Sequence, residues 1–252
     1  MLIMKFDLAM CSLTIAIWRG LGLIVLFALR PAEVGGKTGK YVSFSSIFHD
    51  RSLILYLVPW LTFSFVDRFE KLIFQDFLEQ DLYRFIVMGE PIISAVFAFI
   101  GGFLSDRIGR KRIVIYCLIL TGLAYAVIGV SPTTLISWYF YALIDGIALG
   151  MFWLIFVLIL WGDLSQCATR EKYYVIGSIP YFLANIMPVF LAPYVTLISP
   201  YAAFSFASFF LFLAVLPLMY AIETLPEKKI ELRRLRGYVE RAKKVRDKYV
   251  KS

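Results

Sequence analysis

Gly102-Phe103-Leu104-Ser105-Asp106-Arg107-Ile108-Gly109-Arg110-Lys111-Arg112 is a tight charged turn, one acid and four bases around a glycine, wedged between two apolar runs. The run before it extends from about Phe85 to Leu104, and the run after it from Ile113 to Val130. Each is about long enough to cross the ~30 Å hydrocarbon core of a bilayer as a helix. A loop this short and basic between two such helices is expected to stay in the cytoplasm. Gly102 is read as a point where two helix ends approach closely, and Gly109 as the residue that supplies the positive φ of a tight turn. Asp106 can cap or pair at a helix N-terminus, where the macrodipole favours an anion.

Composition supports the membrane reading. Of 252 residues, 60% are apolar and 23 are phenylalanine, and the mean hydropathy is +0.77. A soluble domain of this size could not hide that much apolar surface in one core. The length accommodates about six or seven spanning helices with short loops. Cys11, Cys117 and Cys167 fall in or beside apolar runs, without metal spacing or a disulfide framework. The single His49 sits in a polar loop. No catalytic residue, cofactor or metal site is read from this pattern, and nothing resembles a soluble enzyme's active site.

Seven apolar segments follow one another along the chain: about Leu8 to Leu29, Ser52 to Phe74, Phe85 to Leu104, Ile113 to Val130, Leu135 to Trp161, Val175 to Ile198, and Tyr201 to Ile222. The first is interrupted by Arg19-Gly20 and the second by Asp67-Arg68-Phe69-Glu70-Lys71. All are expected to be helices, because irregular backbone cannot face lipid. The fold class is therefore all-α, a polytopic membrane bundle. Its expected divisions are a first transmembrane helix (1–30), a cytoplasmic linker (31–51), a six-helix bundle (52–222) and a basic tail (223–252).

Basic residues set the orientation. Arg30, Lys37, Lys40 and Arg51, then the Arg107–Arg112 turn, then Arg170 and Lys172, then the tail, all occupy alternate connections. The opposite loops hold Ser131-Pro132-Thr133-Thr134, Ser199-Pro200 and the acids Asp76, Glu79 and Asp81, with Arg84 as an interface anchor. This asymmetry puts the C-terminus in the cytoplasm and the N-terminus outside. Leu8-Ala9-Met10-Cys11 faintly resembles a lipoprotein cleavage site, but the apolar stretch before it is too short. From Lys228 to Lys251 there are 11 bases and 3 acids, so the tail carries the whole net charge of +8. Leu232, Leu235, Val239, Ala242 and Tyr249 recur in it at helical spacing. Either a solvated cytoplasmic helix or an amphipathic helix on anionic lipid fits; nucleic-acid binding is set aside.

The spacing G-x-x-x-D-R-x-G-R-K, carried by Gly102, Asp106, Arg107, Gly109, Arg110 and Lys111, resembles the loop signature of the major facilitator superfamily. Trp161-Gly162-Asp163-Leu164 with Arg170 resembles the cytoplasmic turn after that family's fourth or tenth helix. Glu223-Thr224-Leu225-Pro226 resembles the P-E-T-L-P ending of one of its six-helix halves, with Ile222 in place of the first proline. Ala142 stands four residues before Gly146, where the fourth family helix often has an arginine. The resemblance therefore implies helices six to twelve, a C-terminal half plus one preceding helix, with 31–51 as the remnant of the central linker. It implies that the signature residues act as a conformational latch on the cytoplasmic side. It also implies a partner, either a complementary half or a second copy, because family substrates sit between two halves.

Ionisable residues at membrane depth are costly and mark cavities or pairs. Asp145, ten residues into its segment, is read as lining a cavity, forming a structural pair, or standing near a helix end. Asp67 and Arg68, with Glu70 and Lys71, are either an ion-pair gate or the outer end of a short helix. Glu90, before Pro91, either holds a proton, as a carboxyl removed from water does more readily, or pairs with Arg19. Asn185 either donates to substrate or bonds to another helix. The combined expectation is secondary active transport of a small solute across the cytoplasmic membrane, as a proton symporter working through Asp145, Asp67 or Glu90. The alternative is a non-transporting membrane interaction protein that acts through its tail. A retinal-binding bundle is disfavoured because Tyr201 to Ile222 contains no lysine.

Overall fold

The computed structural model describes residues 44–165, 169–195 and 198–225, together with positions 17, 235, 238 and 239. Arg19, the first apolar segment except Ile17, Cys11, Cys167 and most of the tail lie outside the described residues. A short helix α1 (Phe44–Phe48) leads into α2 (Arg51–Phe77), α3 (Gln80–Ile108), α4 (Arg110–Val130) and α5 (Leu135–Phe152). The α5 span continues through a π-helical stretch, Trp153–Ile159, into α6 (Leu160–Leu164). It is followed by α7 (Arg170–Val195), α8 (Pro200–Leu213) and α9 (Val215–Tyr220). Among the described residues, six helices are long and apolar enough to cross a membrane, and they coincide with the second to seventh apolar segments. The protein is an integral, multi-pass, all-helical membrane protein.

Two boundaries differ from the hydropathy pattern. The helix α3 starts at Gln80, five residues before the apolar run at Phe85, and carries the exposed Arg84 in its first turns. More consequentially, α2 runs unbroken through Asp67, Arg68, Glu70 and Lys71 to Phe77. These charges do not end a short helix. In hydrocarbon the backbone must satisfy its own hydrogen bonds, so the helix persists and the side chains find partners inward.

Helix ends follow the local chemistry. Asp50 caps α2 by accepting from the Ser52 N–H at 2.9 Å, and its second oxygen accepts the Tyr173 hydroxyl at 2.7 Å, tying α2 to α7. Pro200 opens α8 at a position where a missing N–H costs nothing. Between α3 and α4 there is no loop, because Gly109 alone makes the turn at φ 107° and ψ 149°. That backbone region is essentially restricted to glycine, as expected for this residue.

Helices pack through small residues. A Cβ on Gly150 would run into the Ser94 carbonyl oxygen, so α5 lies directly on the α3 backbone; small residues of this kind let membrane helices approach closely. Ser208 of α8 donates to the Gly122 carbonyl of α4 at 2.7 Å, and Trp60 of α2 donates to the Gly177 carbonyl of α7 at 3.0 Å. An aromatic cluster of Phe74, Tyr125, Trp138, Tyr141 and Phe204 packs toward the end where α2 and α4 finish and α5 and α8 begin. By contrast α3 presents Met88, Ile92, Phe99 and Phe103 outward, and α7 presents Phe182, Val189 and Phe190.

Candidate functional site

Three carboxylates from three helices converge inside the bundle. Asp67 lies ten residues before the end of α2, Glu90 ten residues after the start of α3, and Asp145 ten residues after the start of α5. At 1.5 Å per residue all three are about 15 Å from the same end, near the middle of a span. They are 5%, 5% and 1% exposed, and each offers an oxygen within 4.8 Å of the others. Asp67, Glu90 and Asp145, separate candidates in the sequence, thus come together in one cluster.

Lys71 sits against them. Its ammonium is 3.0 Å from Asp67 and 3.3 Å from Glu90. The partner of Glu90 among the described residues is Lys71; Arg19, one of the two alternatives for it, lies outside them. Arg68 reaches Asp67 at 3.5 Å, donates to the Tyr181 hydroxyl at 3.3 Å, and so links the site to α7. Glu70, 1% exposed, accepts from Tyr141 at 2.6 Å. Asp145 differs from the rest. Both of its carboxyl oxygens are buried without a hydrogen-bond partner, and so is the second oxygen of Glu70. Asp145 thus stands in the middle of α5 rather than at its end, and among the described residues it makes no ion pair.

Glu70, Lys71 and Tyr141 complete the cluster; the first two belong to the charged interruption already read as a candidate ion-pair gate, whereas Tyr141 is new. Tyr141 had a usable signal, since it precedes Asp145 by four residues and so shares its helix face. The Tyr141–Glu70 bond joins residues 71 apart in the chain, which spacing alone does not reveal. Asn185 does not belong here. It is exposed and donates to the Tyr181 carbonyl of its own helix at 2.8 Å, not to another helix. Elsewhere between α2, α7 and α8, Phe65, Phe69, Met187 and Phe206 help line a separate, wholly apolar cavity of about 310 Å³.

About 27 Å along α3 from Glu90, the Gly102–Arg112 turn meets the other two polar motifs. Arg110 makes an ion pair with Asp163 of α6. The carboxylate of Glu223 accepts the backbone N–H of Arg110 at 2.8 Å and of Lys111 at 3.3 Å, while the Lys111 ammonium donates to the carbonyls of Met219 and Ala221. The N-terminus of α4 is thus capped by Glu223, not by Asp106. Glu223 has the longer reach and arrives from the end of the last span, whereas Asp106 stands within α3, whose own end precedes Gly109. Arg107 is exposed and, among the described residues, makes no ion pair. Gly102 also departs from expectation. A Cβ there would meet open space, and the close approach belongs to Gly101, whose Cβ would come 2.6 Å from the Met151 sulfur.

A sequence model of the Major Facilitator Superfamily matches residues 41–247. No curated protein matches the chain.

Proposed function

The chain belongs to the major facilitator superfamily, and from that premise we propose that it moves a small solute across the cytoplasmic membrane by proton-coupled symport. The observation that carries this reading is the buried cluster. Four carboxyls (Asp67, Glu70, Glu90 and Asp145) face two cations (Lys71 and Arg68), and three carboxyl oxygens have no partner. An uncompensated charge at membrane depth is costly, so the cluster is two positive charges short of neutrality. Charges that arrive and leave during a cycle are what coupled transport requires. The mid-depth position suits a family whose sites lie near the bilayer midplane.

Asp145 is the coupling residue in this proposal, with Asp67 and Glu90 holding Lys71 beside it. The turn at Gly109, with Asp163 and Glu223, latches the end that the basic residues assign to the cytoplasm. The chain acts as a C-terminal half, with a complementary half or a second copy closing the other side of the path. The test uses proteoliposomes that contain the full chain, alone and with a complementary six-helix half, loaded with a pH-sensitive dye. A panel of small amines, sugars and organic acids is added outside. At least one solute should drive proton uptake, and Asp145→Asn should reduce that uptake by about tenfold or more, the effect of about 1.4 kcal/mol or more. Uptake unchanged in Asp145→Asn would remove Asp145 from the coupling step, and no uptake with any solute would overturn the proposal.

A further inference from the structure

We infer that the Asp67–Glu90–Asp145 cluster is a binding site for a solute that carries a protonated amine, with the Lys71 ammonium as its tethered occupant when solute is absent. The inference rests on the transport reading above and names the class of solute. Three oxygens no more than 4.8 Å apart all lie within about 2.8 Å of a common centre. That radius matches the 2.7–2.9 Å typical of charge-assisted N–H···O bonds. An ammonium already demonstrates the fit, because Lys71 touches Asp67 at 3.0 Å and Glu90 at 3.3 Å.

What Lys71 does not reach points to a second cation. Asp145 is 1% exposed, contributes one oxygen to the triad, and has no hydrogen-bond partner at either oxygen. The neighbouring Tyr141 hydroxyl, one turn earlier on the same helix, gives its hydrogen to Glu70. A solute ammonium with several N–H donors supplies that pairing and competes with Lys71 for Asp67 and Glu90. With the Lys71 charge kept at the edge of the cluster, the positive-charge deficit of two is met by one ammonium and one proton together, the loading a proton symporter needs. The oxygens belong to three different helices, so occupancy would also draw α2, α3 and α5 together.

Equilibrium binding to the purified full chain in detergent micelles tests this separately from transport. Methylammonium, sodium and tetramethylammonium chlorides are titrated at constant ionic strength and neutral pH, and the thermal-unfolding midpoint and calorimetric heat are recorded. Methylammonium should raise the midpoint saturably. Tetramethylammonium, which has the charge but no N–H donor, and sodium should not. Asp145→Asn should weaken methylammonium binding by about tenfold or more, as expected for loss of a charge-assisted hydrogen bond. Lys71→Gln should tighten it, because the tethered competitor is gone; if that variant fails to fold, Glu90→Gln, which should weaken binding, serves in its place. The inference is overturned if methylammonium gives no saturable shift, if sodium or tetramethylammonium gives an equal one, or if Asp145→Asn binds unchanged. Saturable binding without proton uptake would instead count against the transport proposal and leave the site standing.

Discussion

At the basic end of the bundle Glu223 and Asp163 each meet a donor, whereas at mid-depth Asp145 meets none. Both regions join helices distant in sequence, and both are built from the same few residue types. They differ in how complete they are. At the turn, one carboxylate takes two backbone N–H groups, one guanidinium takes one carboxylate, and one lysine closes two carbonyls. That arrangement holds a shape. In the cluster, four carboxyls share two cations, and the shortage falls on Asp145 and on one oxygen of Glu70. Saturated polar contacts secure position; unsaturated ones have something left to bind.

The comparison can be attacked first at Gly109. Its φ of 107° excludes other residues, and an added Cβ would come 2.6 Å from a Glu223 oxygen. Gly109→Ala should therefore lose both the backbone conformation and the cap on α4, about 3 kcal/mol together, read as a drop in the thermal midpoint in detergent. A midpoint unchanged within error would mean that the turn is not a structural latch. The cluster should respond with the opposite sign. Asp145→Asn removes a buried carboxyl with no partner, so it should leave stability unchanged or raise it by about 1 kcal/mol even as uptake falls. A fall in the midpoint comparable to that of Gly109→Ala would show Asp145 to be a structural member like Asp163. Asn185→Ala belongs to neither region and should change both stability and uptake by less than about 0.5 kcal/mol.

Much of this architecture could be read from the chain because hydrocarbon imposes a simple rule on it. Apolar runs of spanning length become helices, and the six described spans lie where those runs lie. The rule fails where polar residues extend a helix without breaking it. Gln80 to Arg84 belong to α3 because its first turns need not be apolar, and Asp67 to Lys71 stay helical because their side chains pair inside the bundle. The candidate carboxylates were visible one by one, since a charge inside an apolar run is conspicuous. Their meeting was not, because it depends on the rotation of α2, α3 and α5 about their axes. The tie between Tyr141 and Glu70 depends on the same rotations, although Tyr141 shares a helix face with Asp145. At the turn, spacing correctly marked Gly109, but of the two roles open to Asp106, a cap or a pair, the cap is made by Glu223 from 113 residues away.

The π-helical stretch Trp153–Ile159 has a consequence for both regions. Asp145 and Asp163 stand on one continuous span, 18 residues apart, which is five whole turns of a regular α-helix. Without the wide turns the two carboxylates would point to the same side, and a helix aiming Asp145 at the cluster would aim Asp163 there too. One residue's worth of extra winding turns everything beyond it by about 100°. The π segment therefore works as a phase shifter, letting one helix serve two partners on different bearings. Whatever rewinds it to α geometry would swing Asp163 off Arg110 while Asp145 stays in place.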